Sequence, residues 1–275
     1  MAVGEKLNIR DKIELLRTIG IRSALAAFGL IIVFTSNHLF DVLELSKNVN
    51  GYDHFVQVFG FLSISYSIVP IFLMVLLVYF SKMQIRPYIS LRYGSTTAWV
   101  SSEMMLIGLL SVATVLAFVC ICFLQSLLTL GFKGGWSEHA KNYYEYFEVF
   151  LNLHHPVQYI IVTVICTAFL LFVLGLIFFI CFLKLRNIIA SLVIVVLCWM
   201  FNNLVTIGKI GVLSPWLFTD HVDLFTYMYR HKISQSSFPY QIIIYWLVLT
   251  GVLIAICIRI AKTEDLIFGK ENVHG

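Results

Sequence analysis

Charge is what this sequence has least of. Only 12% of its 275 residues are Asp, Glu, Lys or Arg, while 60% are hydrophobic, and the mean hydropathy is +0.90. A water-soluble chain of this length could not hide so much apolar surface, which excludes a soluble enzyme and a soluble nucleic-acid binder. The net charge of +4 is therefore a membrane signal and points to no nucleic-acid partner. Paired thiols are missing too. The six cysteines, Cys120, Cys122, Cys166, Cys181, Cys198 and Cys257, all lie in apolar runs, where they read as small buried thiols without disulfides.

Sequence signatures of chemistry are equally scarce. There is no Walker A lysine motif, so ATP hydrolysis is not expected of this chain, and Gly134-Gly135 reads as a turn. No G-x-S-x-G sets up a nucleophile for Asp220-His221-Val222-Asp223. No H-E-x-x-H or C-x-x-C spacing supports a metal, and the adjacent His154 and His155 cannot easily face one ion from a helix. A cleavable signal peptide is not expected, because the N-terminus stays charged too long and no small-residue cleavage site follows the first apolar run.

What is present is six apolar runs, at about 20–40, 58–80, 99–128, 157–183, 187–208 and 240–260. Each reaches or approaches the ~20 residues that cross ~30 Å of hydrocarbon. Asn37 and His38 mark the end of the first, Pro70 predicts a kink in the second, and Pro156 and Pro239 stand at run starts. Lys184-Leu185-Arg186 makes a tight basic turn between the fourth and fifth. The fold class is thus all-α: six transmembrane helices in one membrane domain, 20–261.

Residues 1–19 precede it, with Ile9, Ile13, Leu16 and Ile19 along one face and Lys6, Arg10, Lys12 and Arg17 mostly off it. That pattern predicts an interfacial amphipathic helix, or otherwise an ordinary solvated flank. Thirteen of the 19 basic residues fall on the side that carries both termini, residues 81–103, Lys184-Arg186 and the tail 262–275. Positive charge marks the cytoplasmic side, so the loops 41–57, 131–156 and 209–239 are expected outside.

The outer loops at 131–156 and 209–239 are aromatic. Trp136, Tyr143, Tyr146 and Trp216 are the candidates for substrate contact; an interfacial aromatic belt is the compatible alternative. Asn202-Asn203 read as packing or span-end polar groups. The runs look almost free of ionisable groups, which speaks against ion-coupled transport and intramembrane acid–base chemistry. Glu103 reads as a charge at the cytoplasmic mouth of the third run.

Between the second and third runs, Ser81 to Glu103 is short, basic and amphipathic. On a helix near Pro87–Gly94, Ile85, Ile89 and Tyr93 recur at i, i+4, i+8, with Tyr88 beside them and Gly94 placed to end it. Such a helix is costly to order unless a partner docks on it.

The phrase ISLRYGSTTAWVSSEMMLIGLL is similar to the cytoplasmic segment of ABC-2 type permeases of the small Gram-positive kind. There an (I/L)xxRxxS(R/K)xxWxxxK pattern leads into the third span. Arg92, Ser95 and Trp99 match it; Glu103 stands where lysine is common, and Thr96-Thr97 replaces the usual basic pair. Leu213-Ser214-Pro215, with Trp216 and Phe218, also resembles the family's stretch before its last span. The resemblance implies a permease subunit in a bacterial plasma membrane, working as a dimer with itself or a homologue. Separate ATPase subunits would bind ATP–Mg, and this chain would hold no cofactor. Ile85, Tyr88, Ile89, Arg92 and Tyr93 would form the coupling contact to the ATPase. An amphipathic peptide or lipid-like substrate is implied, in export of or immunity to antimicrobial peptides. Two other readings compete: a non-transporting immunity or assembly subunit, and a membrane-embedded enzyme or protease. A neighbouring reading frame with a Walker A motif would favour the permease, and catalytic polar groups inside the spans the enzyme.

Overall fold

Six helices long and apolar enough to cross a membrane make up most of the computed structural model, which describes residues 21–45, 48–85, 95–207 and 216–263. They are Arg22–Glu44, Phe61–Lys82, Thr96–Thr129, Pro156–Leu185, Ile188–Thr206 and Gln241–Thr263, hereafter spans one to six. No strand occurs among the described residues. The amphipathic stretch 1–19 and the tail 264–275 lie outside them.

Burial sorts the spans. Over their most apolar windows spans two and four are 56% buried and span three 50%, against 17% for span one and 22% for span six. Spans two, three and four are therefore the inner helices, and spans one and six turn residues such as Leu25, Val33, Leu247 and Val248 outward, as helices facing lipid do. Close approach of the inner spans depends on Gly175, where a Cβ would collide with the Ile107 side chain and touch Phe72.

Local sequence sets the span ends. Ser95 accepts a hydrogen bond from the Ala98 N–H at 3.1 Å and caps span three. Pro156 takes the first turn of span four, where it needs no N–H. Arg186 closes span four in the left-handed region (φ 52°), and Asn187 caps span five by accepting from the Ala190 N–H. Pro70 acts differently from a simple kink. The five residues before Val69, Ile64–Ile68, form a π-helical stretch, with the Val69 N–H reaching back to the Ile64 carbonyl. A proline ring clashes with the carbonyl four residues earlier, here Tyr66, and a widened turn relieves the clash.

The bundle has two distinct ends. At the end where spans two and four finish and span three begins, Phe80 packs on Phe178, Phe179 and Phe182, and Trp99 on Phe179. Lys82, Lys184, Arg186, Arg259 and Lys262 lie there, so it is the basic end. The other end carries a cap of short helices: Gly51–Val58, Glu138–Tyr143, Glu148–Leu153 and Leu224–His231.

Candidate functional site

The predicted coupling residues Tyr88, Ile89, Arg92 and Tyr93 lie outside the described residues; Ile85 is the last residue of the helix that continues span two. That helix and span three reach further into the 81–103 stretch than expected, leaving residues 86–94 between Ile85 and Ser95. Trp99 is buried against span four, which ties the start of span three to the innermost helices.

Glu103 is not a solvated span-end charge. It is 0% exposed, accepts a hydrogen bond from Tyr79 Oη at 2.7 Å, and its Oε1 has no partner among the described residues. The sequence showed an acid near a span end. Its tyrosine partner on span two, 24 residues earlier, gives no periodic signal. A buried intramembrane acid is a functional candidate by default.

At the cap end a polar seam runs between spans two and five. Ser63, Ser65 and Ser67, in or beside the π-helical stretch, are all buried. Ser65 Oγ donates to Asn203 Oδ1, and Trp199 Nε1 donates to the Ser65 carbonyl, each at 3.4 Å. Thr219 Oγ1 donates to the Asn202 carbonyl and lies against Thr206 Oγ1, which donates to Asp220 Oδ1 at 3.0 Å. Two buried oxygens beside this seam, Ser63 Oγ and Asn202 Oδ1, have no partner among the described residues. Buried polar atoms are normally satisfied, so these two stand out against the bonded groups around them. Asn203, bonded across to span two, has the packing role the residues suggest, and Asn202 Nδ2 donates within its own helix to the Cys198 carbonyl at 2.9 Å.

Asp220-His221-Val222-Asp223 does not assemble a catalytic pair. Asp223 accepts from Tyr159 Oη at 2.7 Å and from the Phe225 and Thr226 N–H groups, capping helix Leu224–His231. His221 Nδ1 faces the Leu217 carbonyl at 2.8 Å and so carries the proton, and its ring stacks on Tyr245 at 3.7 Å. Burial pushes His221 down to about 4, helped by nearby His231 and opposed by the Leu217 bond and by Asp220. His54 behaves alike. Its Nε2 donates to the Thr35 carbonyl at 2.9 Å, so Nδ1 accepts from Ser126 Oγ at 2.8 Å, and burial pushes it down to about 4. Asp53 accepts from the Asn50 N–H and Ser137 Oγ, which pins the first cap helix to the next loop, and burial raises its carboxyl. No group of three His, Cys, Asp or Glu among the described residues could hold a metal.

The four aromatic candidates separate. Trp136 is buried, its indole N–H donating to the His154 carbonyl at 2.7 Å, in a ring cluster centred on Phe225 with Tyr144, Phe147 and Tyr159. Tyr143, Tyr146 and Trp216 are exposed. Tyr146 meets Tyr229 edge-on at 5.3 Å and lines a groove of about 500 Å³ with Phe147, Met228, Tyr229, Arg230, Lys232, Ile233 and Gln235. Tyr143 and Trp216 line other parts of the cap surface. The sequence offered aromatic residues of this groove, while Arg230 and Lys232 entered only the count of basic residues on the outer side.

No family model matches the chain, and no solved structure does. An uncharacterized protein of Halalkalibacterium halodurans is 33% identical over 250 residues, which cover 91% of each chain. The two belong to one family. The shared length takes in nearly the whole chain.

Proposed function

We propose that this chain is the permease subunit of an ABC-2 type transporter, driven by a separate ATPase through residues 86–94. The observation that carries this reading is mechanical. The helices on either side of that short connection are locked to the innermost spans by Trp99 on Phe179, Phe80 on Phe178 and Phe182, and Tyr79 on Glu103. A push on the connection is delivered to spans two, three and four together, as rigid-body coupling requires. Ser95 and Trp99, two of the three motif residues, supply the cap and the anchor. The basic end faces the cytoplasm by its excess of Lys and Arg. The cap, with Tyr146 exposed on a groove and the polar seam beneath it, meets an amphipathic substrate.

The test is co-purification of the full chain with the ATPase encoded beside it. Replacing Ile89 and Tyr93 together by Asp should release the ATPase while the chain stays in the membrane. Retention of the ATPase by that variant would refute the docking assignment. A neighbourhood without a Walker A protein would return the chain to the non-transporting class.

A further inference from the structure

The groove at Tyr146 carries an inference that rests on the membrane placement and not on the permease reading. We infer that it holds the headgroup of an acidic phospholipid. Arg230 fixes its height: Nη2 donates to the Thr206 carbonyl at 2.6 Å, and Thr206 is the last residue of span five. The guanidinium therefore sits where that span leaves the hydrocarbon. It uses one of its five donors there. Lys232 follows two residues later in the left-handed region (φ 50°), and this turn brings the Ile233 N–H back to the Met228 carbonyl at 3.1 Å. The next residues fold across to the facing loop, where Gln235 Nε2 donates to the Tyr146 carbonyl at 2.6 Å and closes the groove.

The lining suits a molecule that is anionic at one end and apolar at the other. Arg230 and Lys232 are in no ion pair among the described residues. Glu145 and Glu148, next to Tyr146 and Phe147 in sequence, are exposed and do not line the groove. Phe147, Met228 and Ile233 supply the apolar part, and Tyr146 and Tyr229 stand as aromatic walls, the side chains that favour the interface between headgroups and acyl chains. Gln235 Oε1 has no hydrogen-bond partner among the described residues, an acceptor suited to a headgroup hydroxyl. Phosphatidylglycerol offers both the anionic phosphate and hydroxyl donors. Lys and Arg placed near the membrane surface attract anionic lipid headgroups.

The full chain in mild detergent, titrated with dioctanoyl phosphatidylglycerol, dioctanoyl phosphatidylcholine and inorganic phosphate and read by native mass spectrometry, tests the inference. Wild type should hold phosphatidylglycerol about thirtyfold more tightly than phosphatidylcholine, as two interfacial cations imply. Arg230→Gln with Lys232→Gln should abolish the preference without weakening phosphatidylcholine. Lys232→Gln alone, at an exposed position, should reduce it about fivefold, and it decides the matter if the double variant fails to fold. Equal affinity for the two lipids in wild type, or an unchanged preference in Lys232→Gln, would overturn the proposal. Phosphate binding as tight as that of the lipid would also overturn it, because the groove would then be a plain anion site.

Discussion

Single residues decide how tightly the inner helices approach and how the cap responds to acid. Gly175 faces Ile107 and Phe72 with no room for a methyl group, so Gly175→Ala should destabilise the solubilised protein by ~1–3 kcal/mol, the usual cost of overpacking. Gly108→Ala, whose Cβ would sit 3.5 Å from Phe172, is the contrast and should melt close to wild type. A thermal scan of both variants checks this. His54 and His221 are each held near 4 in the fold, against 6.5 when unfolded. The unfolded chain then binds more protons between pH 6.5 and about 4, so stability is complete above that window and is lost as pH falls through it. Each histidine contributes a slope of up to ~1.4 kcal/mol per pH unit. Asp53, raised by burial, acts in the opposite sense at the acid end. The melting temperature should therefore be level from pH 8 to about 7 and fall as pH drops through the histidine window; a level curve down to pH 5 would contradict the buried, neutral state of both rings. At this scale the sequence was least legible. Glu103 with Tyr79, His54 with Ser126 and Asp223 with Tyr159 are partnerships across 24, 72 and 64 residues. Periodicity reports which face of a helix a residue occupies and is blind to such distant partners.

Elements were far more legible. Length and apolar content reproduce all six spans to within a few residues, because a bilayer admits few other solutions. Pro156 at the head of span four and the basic turn after it are as the residues indicate. Pro70 shows the limit. A proline inside an apolar run announces a disturbance but not its form, and the form here is a π-helical stretch that turns Ser65 toward Asn203 and Trp199. Pro70→Ala removes the ring that clashes with the Tyr66 carbonyl and allows an ordinary α-helix, which rotates Ser63–Ser67 out of register with span five. In a cysteine-free background, the pair Ser65→Cys and Asn203→Cys should cross-link readily under mild oxidation, and adding Pro70→Ala should cut the yield severalfold. An unchanged yield would mean that something other than Pro70 sets the register.

For the whole molecule, the sequence supplied two aromatic loops and a charge asymmetry, and folding turns the loops into a packed cap. The cap escaped sequence reading because its joints are hydrogen bonds between loops, such as Asp53 with Ser137, Asn50 with the Gly135 carbonyl and Gln235 with the Tyr146 carbonyl. Ser137, which the loop pattern suggests is accessible, is buried in one of these joints, so orientation is better probed elsewhere. Lys141 on the cap and Lys184 at the basic end are both exposed. As single cysteines in a cysteine-free chain, Lys141→Cys should react with an impermeant thiol reagent in intact cells, and Lys184→Cys only after permeabilisation. The reverse pattern would invert the orientation drawn from the Lys and Arg distribution.

The spans also differ in length in a way that bears on where the protein can work. Span three has 34 residues, about 51 Å of helix, and span five has 19, about 28 Å. Against ~30 Å of hydrocarbon, span three can ride up or down without losing cover, while span five has no turn to spare. A change in acyl-chain length therefore falls on span five first. In a thick bilayer Asn202 to Thr206 would be drawn into the oily layer, and Arg230, tethered to the Thr206 carbonyl, would be pulled down with them. The shortest crossing is thus where a change in bilayer thickness would act first, and Asn202, Thr206 and Arg230 are the polar groups it would reach.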